Sequence, residues 1–318
     1  MRKLIVLILV CSFSQAFAQL APNKFLVRFT DKKYSPYELT KPEEFLTQRA
    51  IDRRLKFGID IDSTDLPIDP VYIQGVATTG AKLIIQVKWI NALIVETESS
   101  SVIDAIDNLS YVLDIDTVNK RSSQFKSIDK FALEQRSSRL KSSVDNDIYG
   151  NAFNQIDMIN GIPLHEAGFK GSGIVIGVLD AGFVNTNVRT IFNALWDNNQ
   201  ILGSRNFVNP SEDVFRYNTH GTGVLSIMGG QLPGLYLGSA PEAGYWLLLT
   251  EETGSEFLIE EYNWIAGAAF ADSVGVDIIN SSLGYTEFDN SIYDHAYSDL
   301  DGNTTEVTNA ADLAAAKG

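Results

Sequence analysis

The sequence is poor in cysteine and in long apolar runs. Its one cysteine, Cys11, lies in an N-terminal stretch with export features, so the exported chain would contain no thiol. This excludes a disulfide framework and a cysteine nucleophile. The formal net charge of -15 argues against nucleic acid as a partner. Beyond the N-terminus no apolar run approaches the roughly 20 residues of a transmembrane helix, so no stable membrane span is expected.

Residues 1–18 have the three parts of a secretory signal peptide. Arg2 and Lys3 supply the positive end, residues 4–10 form an unbroken apolar run, and residues 16–18 form an A-x-A cleavage site. A membrane anchor is the alternative, but the run is too short to span a bilayer stably. The sequence therefore predicts a secreted or extracytoplasmic protein.

Charge divides the remaining chain into two regions. Residues 19–143 contain 18 Lys or Arg and 17 Asp or Glu, whereas residues 144–318 contain 5 and 23. So large a difference predicts two units, which we place at residues 19–119 and 148–318. Residues 120–147, basic and rich in serine, form a linker between them. The linker is either a processing site or a soluble spacer, and both readings stay open.

The first unit is predicted to be a small α+β domain. Alternating and helical apolar patterns follow the order β-α-β-β-α-β, which is the ferredoxin-like arrangement. That fold hosts many functions and by itself decides none. The predicted strands are residues 24–30, 81–88, 91–96 and 111–118, and the predicted helices are 42–57 and 101–109.

The second unit is predicted to be α/β with a parallel sheet. Apolar strands alternate with helical patterns, as in sheets that carry helices on both faces. The longest helix, residues 256–273, is expected to be amphipathic. The other segments are strands 173–179, 245–249 and 276–279 and helices 156–167, 224–228 and 308–317.

His220 is the first candidate for chemistry. It precedes a Gly-Thr-Gly segment and an apolar run, which predicts a histidine at the N-terminus of a buried helix. Gly221 and Gly223 lack a Cβ, so another backbone is expected to approach closely at both. The helix dipole disfavours a charged imidazole, which suits a general base. The alternative is a structural histidine in a glycine-rich turn.

Asp180 is the second candidate. It follows the buried strand 173–179, and the C-terminal edge of a parallel sheet is where α/β proteins place their sites. A buried carboxylate needs a cation or hydrogen-bond donors. With His220 beginning a helix on the same sheet, the two predict an Asp-His pair in which Asp180 fixes the imidazole tautomer. Alternatively, Asp180 is an N-cap or turn residue.

A third candidate is the segment Ser282-Leu283-Gly284, where a predicted strand runs out. Its backbone could pair with an extended peptide, or it could be an ordinary exit from a strand.

No metal or cofactor site is predicted. His165 suits a surface or packing role, and His295 with Asp294 and Asp299 shows no metal-ligand spacing. The acidic loop 299–303 does not fit the EF-hand pattern. Calcium stays possible, with no site assigned.

Four segments in order resemble the blocks of the subtilisin-like (subtilase) serine peptidases: residues 173–182, 220–224, 240–241 and 280–284. The first unit resembles the inhibitory propeptides of that family, which assist folding and lay their C-terminal tail in the substrate cleft. The resemblance implies a secreted serine endopeptidase precursor with a subtilisin-like domain. It also implies that its partners are peptide or protein substrates and its own propeptide.

By this resemblance Asp180 is the orienting acid and His220 the general base. Ser282, Leu283 and Gly284 would form the substrate-strand edge and one wall of a specificity pocket. The family often has Ser or Thr at the position of Ala181, so one hydroxyl beside the aspartate is absent.

The family nucleophile lies in a Gly-Thr-Ser segment, and its oxyanion-hole asparagine lies beyond the alanine-rich helix. Neither is found in this sequence, and Ser291 and Ser298 lack a glycine-rich elbow. We therefore expect a C-terminally truncated peptidase that is inactive by itself. The alternative is a catalytically inactive subtilase-like protein that binds peptides or has a regulatory role.

Overall fold

The computed structural model describes residues 24–118 and 148–318. The predicted signal peptide, residues 1–18, and the predicted linker, residues 120–147, lie outside the described residues. We refer to residues 24–118 as the first unit and to residues 148–318 as the second unit.

The first unit contains a four-stranded antiparallel sheet with the order β2-β3-β1-β4. The central strand β1 pairs with β3 on one side and with β4 on the other. All four predicted strands are present, in the order expected from the β-α-β-β-α-β pattern. Their bounds are β1 Lys24–Phe29, β2 Lys82–Val87, β3 Ala92–Glu96 and β4 Val112–Thr117.

Two helices, α2 (Pro70–Thr78) and α3 (Ser100–Asp107), cover one face of this sheet. Tyr72 and Val76 of α2 and Ile106 of α3 join the buried cluster on that face. Helix α2 was not predicted, and the prediction that residues 42–57 form the first helix of this unit's sheet is wrong. The reason is that α2 carries a glycine and two β-branched valines, so its helical signal is weak.

Residues 42–57 instead form a 3₁₀ turn, Pro42–Glu44, followed by a separate helix, α1 (Gln48–Phe57). The break occurs because the hydroxyl of Thr47 accepts a hydrogen bond from the Ala50 N–H and so starts a new helix. At the other end Gly58 adopts a left-handed conformation and ends α1. Helix α1 contacts the second unit, as described below.

The second unit contains a four-stranded parallel sheet with the order β10-β5-β9-β6. This confirms the predicted α/β class. Strand β6 was not predicted, because only its first two residues are apolar. The strands of this unit, with a small hairpin β7-β8, are β5 Val175–Asp180, β6 Ile201–Asn206, β7 Gln231–Leu232, β8 Tyr236–Leu237, β9 Gly244–Leu249 and β10 Ile278–Ser281.

Six helices of the second unit accompany the sheet. The single helix predicted at residues 156–167 is two helices, because Asn160 between them takes a left-handed conformation that ends the first. The described residues contain no helix that is both long and apolar enough to cross a bilayer. The helices are α4 Phe153–Met158, α5 Gly161–Glu166, α6 Asn193–Asp197, α7 His220–Gly229, α8 Ile259–Ser273 and α9 Glu306–Ala316.

Helix α8 is buried on almost all sides, so the expectation of an amphipathic helix was wrong. It lies between the parallel sheet of the second unit and the open face of the first unit's sheet. Ile265 and Ala268 of α8 share one apolar cluster with Leu26, Val87 and Ile94 of the first unit. A helix that packs on two sides needs apolar residues around most of its circumference. The two units therefore share a continuous core.

Candidate active site

Asp180 and His220 are hydrogen-bonded at the C-terminal edge of the parallel sheet. Asp180 is the last residue of β5 and is fully buried. Its Oδ1 lies 2.7 Å from His220 Nδ1 and also accepts a hydrogen bond from the Ala181 N–H. A carboxylate at Nδ1 favours the tautomer with the proton on that nitrogen. His220 Nε2 then presents the lone pair that a general base uses.

The backbone around His220 is held by side chains that the sequence analysis did not single out. His220 is the first residue of α7, and its N–H donates to Asn218 Oδ1 at 2.8 Å. Thr222 Oγ1 donates to the carbonyl of Val184 at 2.8 Å. The Val184 N–H in turn donates to the carbonyl of Asn218. These bonds join the loop after Asp180 to the start of α7. In the sequence, the hydroxyl residue of the His-Gly-Thr-Gly segment is the feature from which they could have been predicted.

Close packing of this loop against α7 requires glycine at position 221. A Cβ there would lie 2.6 Å from the carbonyl oxygen of Gly182 and 2.9 Å from the Cβ of Asp180. The same expectation for Gly223 was wrong, because a Cβ at that position would meet no atom within 4 Å. Only Gly221 faces the aspartate strand, since the two glycines point to different sides of the helix.

Burial raises the pKa of Asp180 above its ordinary value near 3.8. The hydrogen bonds from His220 and from the Ala181 N–H act in the opposite direction. Asp180 Oδ2 is buried and has no hydrogen-bond partner among the described residues. The next residue, Ala181, has no side-chain donor that could bind this oxygen.

The raised pKa predicts how stability depends on pH. Between the unfolded pKa near 3.8 and the higher folded pKa, the folded state binds more protons at Asp180 than the unfolded state does. The contribution of this group is therefore present at low pH and lost as pH rises through that window. The quantity to measure is the difference in free energy of unfolding between the parent chain and Asp180→Asn, obtained by urea titration. We expect this difference to fall as the pH rises from 4 towards neutral. A difference that rises instead would contradict the shift.

Ser282, Leu283 and Gly284 leave the sheet beside Asp180. Strand β10 pairs in parallel with β5, and Ser281 lies opposite Leu179, so the next residues emerge at the same edge. Ser282 and Gly284 are exposed, whereas Leu283 packs against the shared core. At this position the backbone of the segment could pair with an extended peptide. Its role in substrate binding stays a prediction.

The two serines named in the sequence analysis lie in exposed 3₁₀ turns. Ser291 begins the turn Ser291–Tyr293, and Ser298 lies in the turn Tyr297–Asp299 and donates to Asp299 Oδ1. Neither turn follows a strand of the parallel sheet. Their surroundings do not resemble a strained nucleophile elbow.

The other histidines have structural partners. His165 is buried, with its ring nitrogens near the Tyr149 hydroxyl and the Ser239 carbonyl. His295 Nε2 lies 2.6 Å from Glu261 Oε1, and the ring contacts Phe288 edge-on. His295 is thus paired with a glutamate on α8 that the sequence analysis did not name.

Among residues 24–118 and 148–318, one group of carboxylates has a spacing that could hold a cation. Oxygens of Glu251, Glu256 and Glu260 lie within 4.8 Å of one another. The Tyr285 hydroxyl donates to Glu251, and Glu260 accepts from the Phe257 N–H. Asp301 in the acidic loop accepts from the N–H groups of Asn303 and Thr304.

Comparison with known proteins identifies a matching family for each unit. Residues 171–318 match the model of the subtilase family, and residues 24–132 match that of the peptidase S8 propeptide domain of Bacteroidota. The chain contains a subtilase domain preceded by a peptidase S8 propeptide domain. The propeptide match extends past residue 119, our predicted boundary, so that boundary stays a prediction. We call the two units the propeptide unit and the subtilase unit from here on.

The curated relatives include subtilisin E of Bacillus subtilis (strain 168), which is 30% identical over 135 residues. That alignment covers 41% of this chain and 32% of subtilisin E, so the matched region spans about a third of the relative. Subtilisin of Bacillus pumilus is 29% identical over 135 residues, covering 41% and 44%. A solved structure, the S393A mutant of the epidermin leader peptide processing serine protease from Staphylococcus aureus, matches with TM-score 0.43 and 15% identity. It covers 82% of this chain and 50% of that one.

Proposed function

We propose that the full-length protein is the precursor of an exported serine endopeptidase. Asp180 and His220 would be two members of an Asp-His-Ser triad. The observation that carries this proposal is the 2.7 Å hydrogen bond between Asp180 Oδ1 and His220 Nδ1 at the edge of the parallel sheet. The subtilase and propeptide matches support a serine peptidase precursor.

Each residue has a defined role in the proposed reaction. His220 Nε2 takes the proton of the serine hydroxyl as its oxygen bonds to the substrate carbonyl carbon. The same nitrogen then returns the proton to the leaving amine as the peptide bond breaks. Asp180 holds the ring and stabilises the imidazolium that forms between these steps. The substrate would lie along the backbone of Ser282-Leu283-Gly284. This acid–base chemistry needs no metal or other cofactor.

The nucleophile would be a serine outside these 318 residues. The sequence has no Gly-Thr-Ser segment, and neither Ser291 nor Ser298 lies in a suitable turn. The propeptide unit would act as an intramolecular inhibitor, which is supported by the core that it shares with α8.

The missing nucleophile segment also supports a second candidate. A subtilase-like protein without its serine would bind peptides along the Ser282-Leu283-Gly284 edge without cleaving them.

The two candidates differ in their response to an active-site probe. We expect the coding frame to continue into a Gly-Thr-Ser segment within roughly one further domain's length. We also expect a fluorophosphonate to label that serine in the full-length protein, as seen by mass spectrometry of the labelled peptide. A frame without this segment, or a full-length protein that fails to label after removal of the propeptide, would favour the peptide-binding candidate.

A further inference from the structure

Helix α1 carries three arginines, Arg49, Arg53 and Arg54, towards the subtilase unit. The helix lies outside the group of elements that covers the propeptide sheet. Arg53 and Arg54 are 6% and 1% exposed, which is rare for arginine unless it is paired. Helix α1 therefore has a buried face of charge rather than of apolar side chains.

The buried arginines belong to an alternating chain of five charges. Arg54 Nη2 donates to both carboxylate oxygens of Asp272, at 2.8 and 2.9 Å, and to Asp65 Oδ1 at 2.9 Å. Arg53 also donates to Asp272 and to the carbonyl of Val276. Lys317 Nζ donates to Asp65 Oδ1 at 2.8 Å. We call Arg53–Asp272–Arg54–Asp65–Lys317 the charge chain.

The charge chain crosses between the two units three times. Arg53, Arg54 and Asp65 belong to the propeptide unit, whereas Asp272 and Lys317 belong to the subtilase unit. None of the five residues is more than 6% exposed. Separation of the units would therefore deprive Asp272 of both arginines and Lys317 of Asp65.

Buried ion pairs of this kind contribute more to the specificity of an interface than to its affinity. The desolvation of each charge offsets much of the attraction between them, so a matched apolar set holds two surfaces about equally well. Loss of one partner is different, because it leaves a charge buried and unpaired. A propeptide without the arginine pair would bury Asp272 without either arginine. One without Asp65 would leave Lys317 only the exposed carboxylate of Asp62, at 3.6 Å.

We propose that the charge chain is the recognition element that restricts the subtilase unit to a propeptide carrying Arg53, Arg54 and Asp65. This inference rests on the proposed role of the first unit as the inhibitor. The overall charges agree with it, since the chain beyond residue 143 has 23 acidic and only 5 Lys or Arg residues. Propeptides with apolar or acidic residues at positions 53 and 54 are the class that the charge chain rejects.

Hydrogen exchange of the 318-residue chain tests this, because two amides donate across the interface. The Thr47 N–H donates to the Ser273 carbonyl, and the Ile259 N–H donates to the Val118 carbonyl. They lie at opposite ends of α8, so separation of the units exposes both, whereas local fraying exposes one. The Thr250 N–H, bonded to the Asp180 carbonyl inside the parallel sheet, reports the fold of the subtilase unit.

We expect Asp272→Asn to lower the protection of Thr47 and Ile259 together by about 100-fold or more, with Thr250 unchanged. Arg49→Gln is the matched control. Arg49 lies one turn from Arg53 and also bridges the units, to Asp277, but its side chain is 41% exposed. Its loss should change protection by less than about 10-fold. Equal effects of the two substitutions would overturn the proposal.

A combined variant separates recognition from simple affinity. This variant replaces the whole charge chain, by Arg53→Met, Arg54→Met, Asp65→Asn, Asp272→Leu and Lys317→Met. We expect the protection of the Thr47 and Ile259 amides to return to within about 10-fold of the parent. A combined loss as large as the product of the single losses would overturn the proposal. The measurement needs no catalytic activity, so a failure of fluorophosphonate labelling and a failure here are distinct results.

Discussion

His220→Ala in the full-length protein is expected to abolish peptide hydrolysis and fluorophosphonate labelling. The histidine is the base that is hydrogen-bonded to Asp180, and members of such a triad act as a unit. Loss of one therefore removes nearly the whole contribution of the triad, on the order of a million-fold in kcat. The measurements are steady-state hydrolysis of a peptide substrate and the rate of probe labelling.

Two further variants make this result specific. Asp180→Asn keeps the shape of the side chain but disfavours the tautomer with the proton on Nδ1, so we expect a loss of about ten-thousand-fold. His295→Gln is the control, because His295 is paired with Glu261 away from Asp180. It should retain activity within about 10-fold, since it makes no contact with the reacting groups. Activity of His220→Ala close to that of the parent would contradict the assigned role.

Gly221→Ala is expected to destabilise the 318-residue chain by about 1–3 kcal/mol. The added methyl group would lie 2.6 Å from the Gly182 carbonyl oxygen and 2.9 Å from the Asp180 Cβ. Both neighbours are held by β5 and by the loop that follows it, so the start of α7 must move away from Asp180. The free energy of unfolding by urea measures the loss. The same displacement would lengthen the bond between Asp180 and His220.

Gly223→Ala supplies a matched control on the same turn of α7. A Cβ at position 223 meets nothing within 4 Å, and alanine favours helix over glycine by about 0.8–1.0 kcal/mol. We therefore expect this variant to be slightly more stable than the parent. Destabilisation of similar size in both variants would show that the contact between Gly221 and the aspartate loop is not the cause.

The parts of the site that could be predicted are those with a local pattern. Strand β5 is a continuous apolar run, and Asp180 is the polar residue that ends it. His220 precedes glycine and an apolar helix, so its position at the start of α7 also follows from neighbouring residues. Such features depend on residues within one turn or one strand, which the sequence displays directly.

Helices α1 and α2 show why other parts could not be predicted. Pro42 and Gly58 are typical start and stop signals, so the sequence predicts one helix over residues 42–57 and places it on the propeptide sheet. Packing decided otherwise, because Tyr72 and Val76 of α2 fill the sheet face, whereas Arg53 and Arg54 of α1 both pair with Asp272 of the subtilase unit. Helical periodicity does not identify the surface that a helix will contact.

The sequence by itself determined the two classes of unit, the order of most strands, and the choice of Asp180 and His220 as the candidate acid and base. The tertiary structure decided that these two side chains are 2.7 Å apart, that α8 is buried on both sides, and that five charges join the units. The physical reason is range. Strands and helix ends follow from interactions between near neighbours, whereas each of these contacts joins positions far apart in the chain and exists only once the core has packed.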